Sequence, residues 1–220
     1  MDYASSFTFG EAMISADDAK YYAKPQVFSQ DDGKTVDRPN FVQVTDKRGT
    51  FEGWTLKVKQ EKQFSVKDDD TKELTGAQLK FLNGNVTSTI DQQYAPTGQK
   101  EITLVPGSAE VAPLAAAKDQ GMGTWIYRFG DEQTMAKSIE LAVPGTSPKM
   151  AKEYVTELTW TLESTPTNTT PSPKSQRSTW NSDSGELSTK AANRQRSLAS
   201  HSVITDNKDC WHLTKMHDEN

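Results

Sequence analysis

Apolar and polar residues alternate with a period of two along much of the first 166 residues. Successive side chains of a β-strand point to opposite faces, so this pattern is typical of strands with one buried face. Turn signals rich in Gly, Pro and Asn separate the alternating runs. The runs begin at Val42, Trp54, Leu79, Ile102, Trp125, Ile139 and Leu158. The sequence therefore predicts an all-β domain, with the fold of an antiparallel β-sandwich or a barrel-like sheet.

One segment of this region departs from the pattern. Residues 109–119 are rich in alanine, which favours a helical turn, although Pro113 restricts its length. We expect at most one turn of helix there.

The composition of the chain changes near Pro166. Residues 1–166 contain 18 Lys and Arg against 24 Asp and Glu, whereas residues 167–220 contain 7 against 6. The second segment is rich in Ser, Thr and Asn, and its few apolar residues cannot offset the entropy cost of ordering it. We therefore predict a folded domain over residues 1–166 and a polar, disordered tail of unknown origin over residues 167–220.

Few residues suited to catalysis at neutral pH occur in the predicted domain. All three histidines and the single cysteine lie after residue 200, at His201, Cys210, His212 and His217. A carboxylate pair remains possible in principle, but none of the 30 acidic residues stands out, and a glycosidase needs one carboxyl group in a defined apolar setting. We predict no enzyme activity, no cofactor and no metal site.

Nucleic acid is a poor candidate for a partner. The predicted domain has a net charge of −6 and no basic stripe interleaved with aromatic residues.

The triplet Trp-Thr-Leu occurs twice, at residues 54–56 and 160–162. The first copy follows a D-x-R-G turn at residues 46–49, and the second ends a Y-x-x-x-L-T-W-x-L segment that starts at Tyr154. A G-x-G-x-W segment ending at Trp125 and a V-P-G turn ending at Gly145 lie between them. This ordered set of motifs resembles the WxL domain family over about residues 3–166.

The resemblance implies a non-catalytic cell-surface module that attaches non-covalently to the peptidoglycan of Gram-positive bacteria. It also implies WxL-interacting and LPXTG-type surface proteins as partners. A second hypothesis is that the domain docks a membrane-anchored WxL-interacting protein, so that its retention on the wall is indirect. A third class, a wall-active hydrolase, is disfavoured because the domain contains no His or Cys.

The resemblance places the protein outside the cell, at the cell wall. The first residues lack the basic start and apolar stretch of a signal peptide, so we interpret the chain as an N-terminally truncated fragment. No apolar run reaches the roughly 18 residues that a membrane span needs, and we predict no membrane insertion.

Six side chains in and near the motifs are the candidate ligand-binding residues. They are Trp54, Leu56, Trp125, Tyr127, Trp160 and Leu162. Indole and phenol rings can contact wall sugars, but apolar residues that share a strand face more often form a core, and we favour core packing. Tyr127 is the best candidate for a polar tip that reaches a ligand, because phenol oxygens favour half-exposed positions.

Charged residues near the first motif allow two interpretations. Arg48, Lys57, Lys59 and Lys62 could meet acidic wall polymers, but we favour a solvated sheet face. The run Asp68-Asp69-Asp70 could bind a cation weakly, yet it lacks the flanking pattern of a calcium loop, so we favour a solvated charge run.

Overall fold

The computed structural model describes residues 1–164 and the short strand Met216–His217. In chain order, the strands of this described part are β1 (Tyr3–Ala4), β2 (Ala12–Met13), β3 (Ala19–Tyr22), β4 (Gln26–Ser29), β5 (Thr35–Arg38), β6 (Phe41–Asp46), β7 (Trp54–Gln60), β8 (Ser65–Val66), β9 (Asp69–Glu73), β10 (Gln78–Phe81), β11 (Gly84–Thr87), β12 (Thr97–Gly98), β13 (Ile102–Leu104), β14 (Val111–Ala116), β15 (Gly123–Phe129), β16 (Ile139–Val143), β17 (Tyr154–Val155), β18 (Leu158–Glu163) and β19 (Met216–His217). Two short 3₁₀ helices, Gln92–Tyr94 and Met135–Lys137, join them.

Three four-stranded sheets form the body of the fold. Their strand orders are β1-β6-β15-β11, β13-β10-β16-β3 and β12-β14-β7-β18, and all of their pairings are antiparallel. A small sheet of β17-β8-β9 and a β4-β5 hairpin complete the antiparallel part, while β19 pairs in parallel with β2. The predicted all-β, antiparallel fold is confirmed.

The period-two pattern gave the strands correctly. Each of the seven alternating runs lies within a strand, and in β7 the buried apolar positions alternate strictly with half-buried polar positions. Most of the remaining short strands have no such alternation and were not predicted. In the described residues, no helix is long and apolar enough to cross a bilayer.

The helical turn expected within residues 109–119 is wrong, because this segment contains strand β14. β14 pairs with β7, and its register shifts between Val111 and Leu114. Pro113 lies within that irregularity, where its missing N–H does not break a regular ladder. The predicted disorder of residues 167–220 concerns residues that, apart from β19, lie outside the described part.

Aromatic rings pack where the sheets face one another. Phe81 on β10 lies 4.9 Å from Phe129 on β15, measured between ring centroids, and Phe7 meets both rings edge-on at 5.4 and 6.3 Å. All three rings are buried. Edge-to-face packing of this kind adds to the stabilisation that burial gives, so one core joins two of the large sheets.

Arg48 connects the turn before β7 with the end of β18. Its guanidinium donates two hydrogen bonds of 2.9 Å to the Asp46 carboxylate and one of 2.8 Å to the Gly53 carbonyl. The same group also donates to the Ser164 hydroxyl. The Asp46 side chain is only 7% exposed, so its charge depends on this partner. A charge-assisted, bidentate contact between Arg48 and Asp46 therefore stabilises the D-x-R-G turn.

This contact predicts a specific dependence of stability on pH. The hydrogen bonds from Arg48 lower the pKa of Asp46, so the stabilisation is complete above the unfolded-state pKa of about 4 and is lost as the pH falls through the lower folded-state pKa. At pH 7, Asp46→Asn should lower the free energy of unfolding by about 1–3 kcal/mol. The difference in unfolding free energy between wild type and Asp46→Asn, measured by urea unfolding, should narrow as the pH falls below about 4.

Asp32→Asn is the matched control, because Asp32 also pairs with a cation, Lys34, but at an exposed site. It should leave the unfolding curve unchanged. A difference between wild type and Asp46→Asn that stays constant with pH would contradict the assigned role of the Asp46 charge.

Candidate functional site

The two Trp-Thr-Leu triplets lie side by side in neighbouring strands. β7 and β18 pair in antiparallel register so that Leu56 is directly opposite Leu162 and Trp160 is opposite Val58. Residues directly opposite each other on one face of a sheet contact each other's side chains. The two motifs, about 100 residues apart in the sequence, are therefore a single structural unit.

The G-x-G-x-W segment receives the indole N–H groups of two tryptophans. Trp54 Nε1 donates to the Gly121 carbonyl at 3.0 Å, and Trp125 Nε1 donates to the Met122 carbonyl at 2.8 Å. Both indoles are buried, with exposures of 2% and 0%. A buried N–H without an acceptor would be costly, so these two adjacent carbonyls make the burial of both rings possible.

Gly121 is held against the Trp54 ring. Its backbone φ is +73°, and a Cβ added there would come within 2.5 Å of Trp54 Nε1 and would also overlap the Ala116 side chain. Only glycine combines this left-handed conformation with so close an approach. The close approach of the Trp54 ring thus explains why the G-x-G-x-W segment begins with glycine at position 121.

The second motif is more open than the first. Trp160 and Leu162 are half-buried on β18, the edge strand of its sheet, and they pack against the core. The Trp160 ring is nearly parallel to that of Phe81, with an interplanar angle of 10° and centroids 6.1 Å apart. Among the six candidate ligand-binding side chains, these two alone keep accessible surface, since Trp54, Leu56, Trp125 and Tyr127 are all buried.

Tyr127 does not have the half-exposed hydroxyl that its sequence context suggested. The side chain is fully buried, and its hydroxyl donates to the Gln99 carbonyl at 2.7 Å. Burial also raises the pKa of this phenol. The prediction of a polar tip that reaches a ligand is therefore wrong, because the nearby backbone at Gln99 satisfies the hydroxyl inside the core.

The cations around the first motif are paired with carboxylates. Lys57 lies 2.7 Å from Glu163 and 3.6 Å from Glu110, and Lys59 lies 2.6 Å from Glu61. These distances join side-chain nitrogen and oxygen atoms across an outward sheet face. The positive charge is compensated locally, so this face offers little to an acidic polymer.

The Asp68-Asp69-Asp70 run forms a turn with its own internal partners. Asp68 has a φ of +67°, Asp69 accepts hydrogen bonds from Thr71, and Asp70 accepts from Ser65 and pairs with Lys62. In residues 1–164, no three His, Cys, Asp or Glu side chains converge as metal ligands.

One group of aromatic residues was missed by the sequence reasoning. Tyr3, Phe28 and Phe41, here called the outer aromatic cluster, lie on the side of the β1-β6-β15-β11 sheet that faces away from the core. Centroids of Tyr3 and Phe41 are 4.8 Å apart, and those of Phe28 and Phe41 are 6.4 Å apart. The sequence signal was the position of Phe41 one residue before the buried Val42, which places its ring on the opposite face.

The contact between Gly121 and Trp54 predicts an unequal cost for two glycine substitutions. Gly49 has a similar φ of +70° but nothing within 4 Å of its would-be Cβ. Gly49→Ala should therefore lose only about 1–2 kcal/mol of unfolding free energy, from left-handed strain. Gly121→Ala should lose a further ~1–3 kcal/mol from overpacking. Chemical denaturation of both variants measures the difference, and equal losses would contradict the contact.

Comparison with known proteins gives one informative result. The family model described as "WxL domain surface cell wall-binding" matches residues 1–166. No curated protein and no solved structure matches the chain significantly. The matched span contains both Trp-Thr-Leu triplets, the segment that accepts the indole N–H groups of Trp54 and Trp125, and all three large sheets. The chain therefore belongs to the WxL domain family of cell-wall-binding surface domains.

Proposed function

We propose that residues 1–166 form a non-catalytic module that attaches the protein non-covalently to peptidoglycan on the outside of a Gram-positive cell. The observation that carries the proposal is the match to a family of surface cell-wall-binding domains over the whole described body. On this proposal, the described body is a rigid scaffold that presents a surface to a repetitive polymer. Many equivalent sites along the wall would favour rebinding after each dissociation.

The electrostatics of the carboxyl groups support a role without catalysis. Hydrogen bonds from Arg48 lower the pKa of Asp46, and those from Lys59 lower the pKa of Glu61. A general acid that works near neutral pH needs the opposite shift, which burial in an apolar pocket produces. The most deeply buried carboxylate on the sheets, Glu140, contacts Lys20 at 3.1 Å and accepts a hydrogen bond from the Tyr22 hydroxyl. That arrangement is an ion pair that supports β16 and β3.

The second candidate function is docking of a WxL-interacting protein, and the position of β18 favours it. β18 is an edge strand of six residues, Leu158–Glu163, and it carries the half-buried Trp160 and Leu162. An edge strand offers unpaired backbone groups to a partner strand, and exposed apolar side chains add specificity. On this hypothesis, the partner protein holds the domain at the wall.

Co-sedimentation with purified, protein-free peptidoglycan separates the two candidates. We expect the full chain to pellet with this material at low and moderate salt. If it pellets only after addition of a WxL-interacting protein, the docking function replaces direct attachment. A fall in turbidity of the wall suspension would instead show a hydrolase and contradict the non-catalytic part of the proposal.

The same assay tests the role of the motif tryptophans. Because Trp54 is buried and bonded to Gly121, Trp54→Ala should cost about 3–5 kcal/mol of stability and lose pelleting through unfolding. Trp160→Phe keeps a ring against Phe81 and should retain both the fold, by near-ultraviolet circular dichroism, and pelleting. A folded Trp160→Phe protein that stays in the supernatant would show that the indole of Trp160 contacts the wall.

A further inference from the structure

An exposed aromatic surface lies away from both Trp-Thr-Leu motifs. Tyr3 and Phe28 of the outer aromatic cluster are 38% and 41% exposed, and Phe41 lies between them half-buried. Three neighbouring rings on a solvent-facing surface leave apolar area in water without the compensation that core packing provides. On soluble domains, such clusters mark binding sites more often than isolated exposed apolar residues do.

The cluster has a defined geometry before any ligand arrives. The rings of Tyr3 and Phe28 are inclined to that of Phe41 by 32° and 26°. The Tyr3 hydroxyl and the Gln26 side-chain amide hydrogen-bond to each other, which joins the β4-β5 hairpin to the edge of the sheet. A surface whose rings are already ordered loses less entropy when it binds.

The groups around the rings are mainly uncharged and polar. On β6, β15 and β11, the outward positions near the cluster include Gln43, Thr45, Asn85, Thr87, Thr124, Ile126 and Arg128. One carboxylate lies among them, that of Asp2, which accepts hydrogen bonds from Gln43 and Thr45. Amides and hydroxyls begin directly beside the rings, so the apolar part of the surface is limited to the three rings. A sugar ring has apolar C–H faces and a hydroxylated edge, and it matches this combination better than an apolar protein surface does.

One cation completes the surface. Arg128 lies directly opposite Phe41 in the β15-β6 pairing and is half-buried. Its Nε is buried and has no hydrogen-bond partner among the described residues, so only the outer part of the guanidinium can face a ligand. Arginine recognises carboxylates with planar, paired hydrogen bonds. Amino-sugar strands of the wall carry carboxylates on their stem peptides, or on the lactyl group where the peptide has been removed, so a cation next to the rings complements them.

We infer that the outer aromatic cluster, together with Arg128, is the surface on which the domain binds the amino-sugar glycan strand of the wall. This inference rests on the proposed attachment to peptidoglycan and assigns it to a face of the β1-β6-β15-β11 sheet. The Trp-Thr-Leu motifs then build the scaffold, and the rings of Tyr3, Phe28 and Phe41 make the contact.

The test is co-sedimentation of the full chain with protein-free peptidoglycan, using the double variant Tyr3→Ala/Phe28→Ala. Loss of two contact rings should raise the apparent Kd at least tenfold, which corresponds to about 1.4 kcal/mol. Phe51→Ala is the matched control, because Phe51 is 40% exposed but belongs to no ring pair of the cluster. It should bind like the wild type. Soluble fragments from a muramidase digest should compete with the wild type for the insoluble material.

A second pair of variants separates ring contact from folding. Tyr3→Leu/Phe28→Leu keeps apolar volume but removes both rings. Near-ultraviolet circular dichroism should show that this variant is folded, and its binding to peptidoglycan should still be weak. Arg128→Gln should weaken binding and make the remaining affinity less sensitive to salt.

The outcomes distinguish this inference from the proposed function. If the wild type pellets and both folded double variants pellet equally well, attachment to peptidoglycan stands and the assigned surface is wrong. If the variants lose retention only on walls that still carry proteins, the cluster binds a protein and the glycan assignment is also wrong. If the wild type itself stays in the supernatant, the proposed function fails first.

Discussion

The indole N–H groups of Trp54 and Trp125 must each have a hydrogen-bond acceptor in the interior, and the loop before β15 supplies both. Consecutive carbonyls at Gly121 and Met122 accept these two bonds. The loop can approach the Trp54 ring because position 121 has no side chain. Much of the fold depends on this arrangement, since Trp54 begins β7, and β7 is the strand between β14 and β18.

The family motifs have distinct structural tasks. The paired Trp-Thr-Leu triplets align β7 with β18, and the G-x-G-x-W segment completes the hydrogen bonding of the buried indoles. The D-x-R-G turn holds the start of β7 to the end of β18 through Arg48. Trp54 and Trp125 are buried by these tasks and cannot meet a polymer outside the domain. A binding surface is therefore better sought among side chains that the core does not use.

The sequence predicted the fold well where residues have strict alternation and poorly where they do not. Trp54, Leu56 and Val58 define their strand through a period of two, because one face is buried and the other is only half-buried. β14 was missed because alanine and Pro113 resemble a short helix locally, and only the pairing with β7 reveals a strand. The short strands β8 and β17 depend on partners that are distant in the sequence. Local patterns do not contain that information.

The candidate site was predictable only in part, for a similar reason. Alternation placed Tyr127 on a strand face. The Gln99 carbonyl, which accepts the hydrogen bond of its buried hydroxyl, comes from a loop outside that strand. The outer aromatic cluster joins residues from β1, β4 and β6, and none of the three rings belongs to a recognisable motif. Its existence follows from how the hairpin lies on the sheet.

The register between β7 and β18 has a consequence for how the domain forms. Leu56 pairs with Leu162, so the sheet that contains both closes only when β18 is available. Closing a loop of this length costs entropy before any contact repays it, which slows folding of such topologies. A chain that ends before residue 158 would leave β7 with an unpaired edge. The domain can therefore close only after its synthesis is complete. An incomplete copy would expose the unpaired edge of β7, which can pair with a strand of another chain.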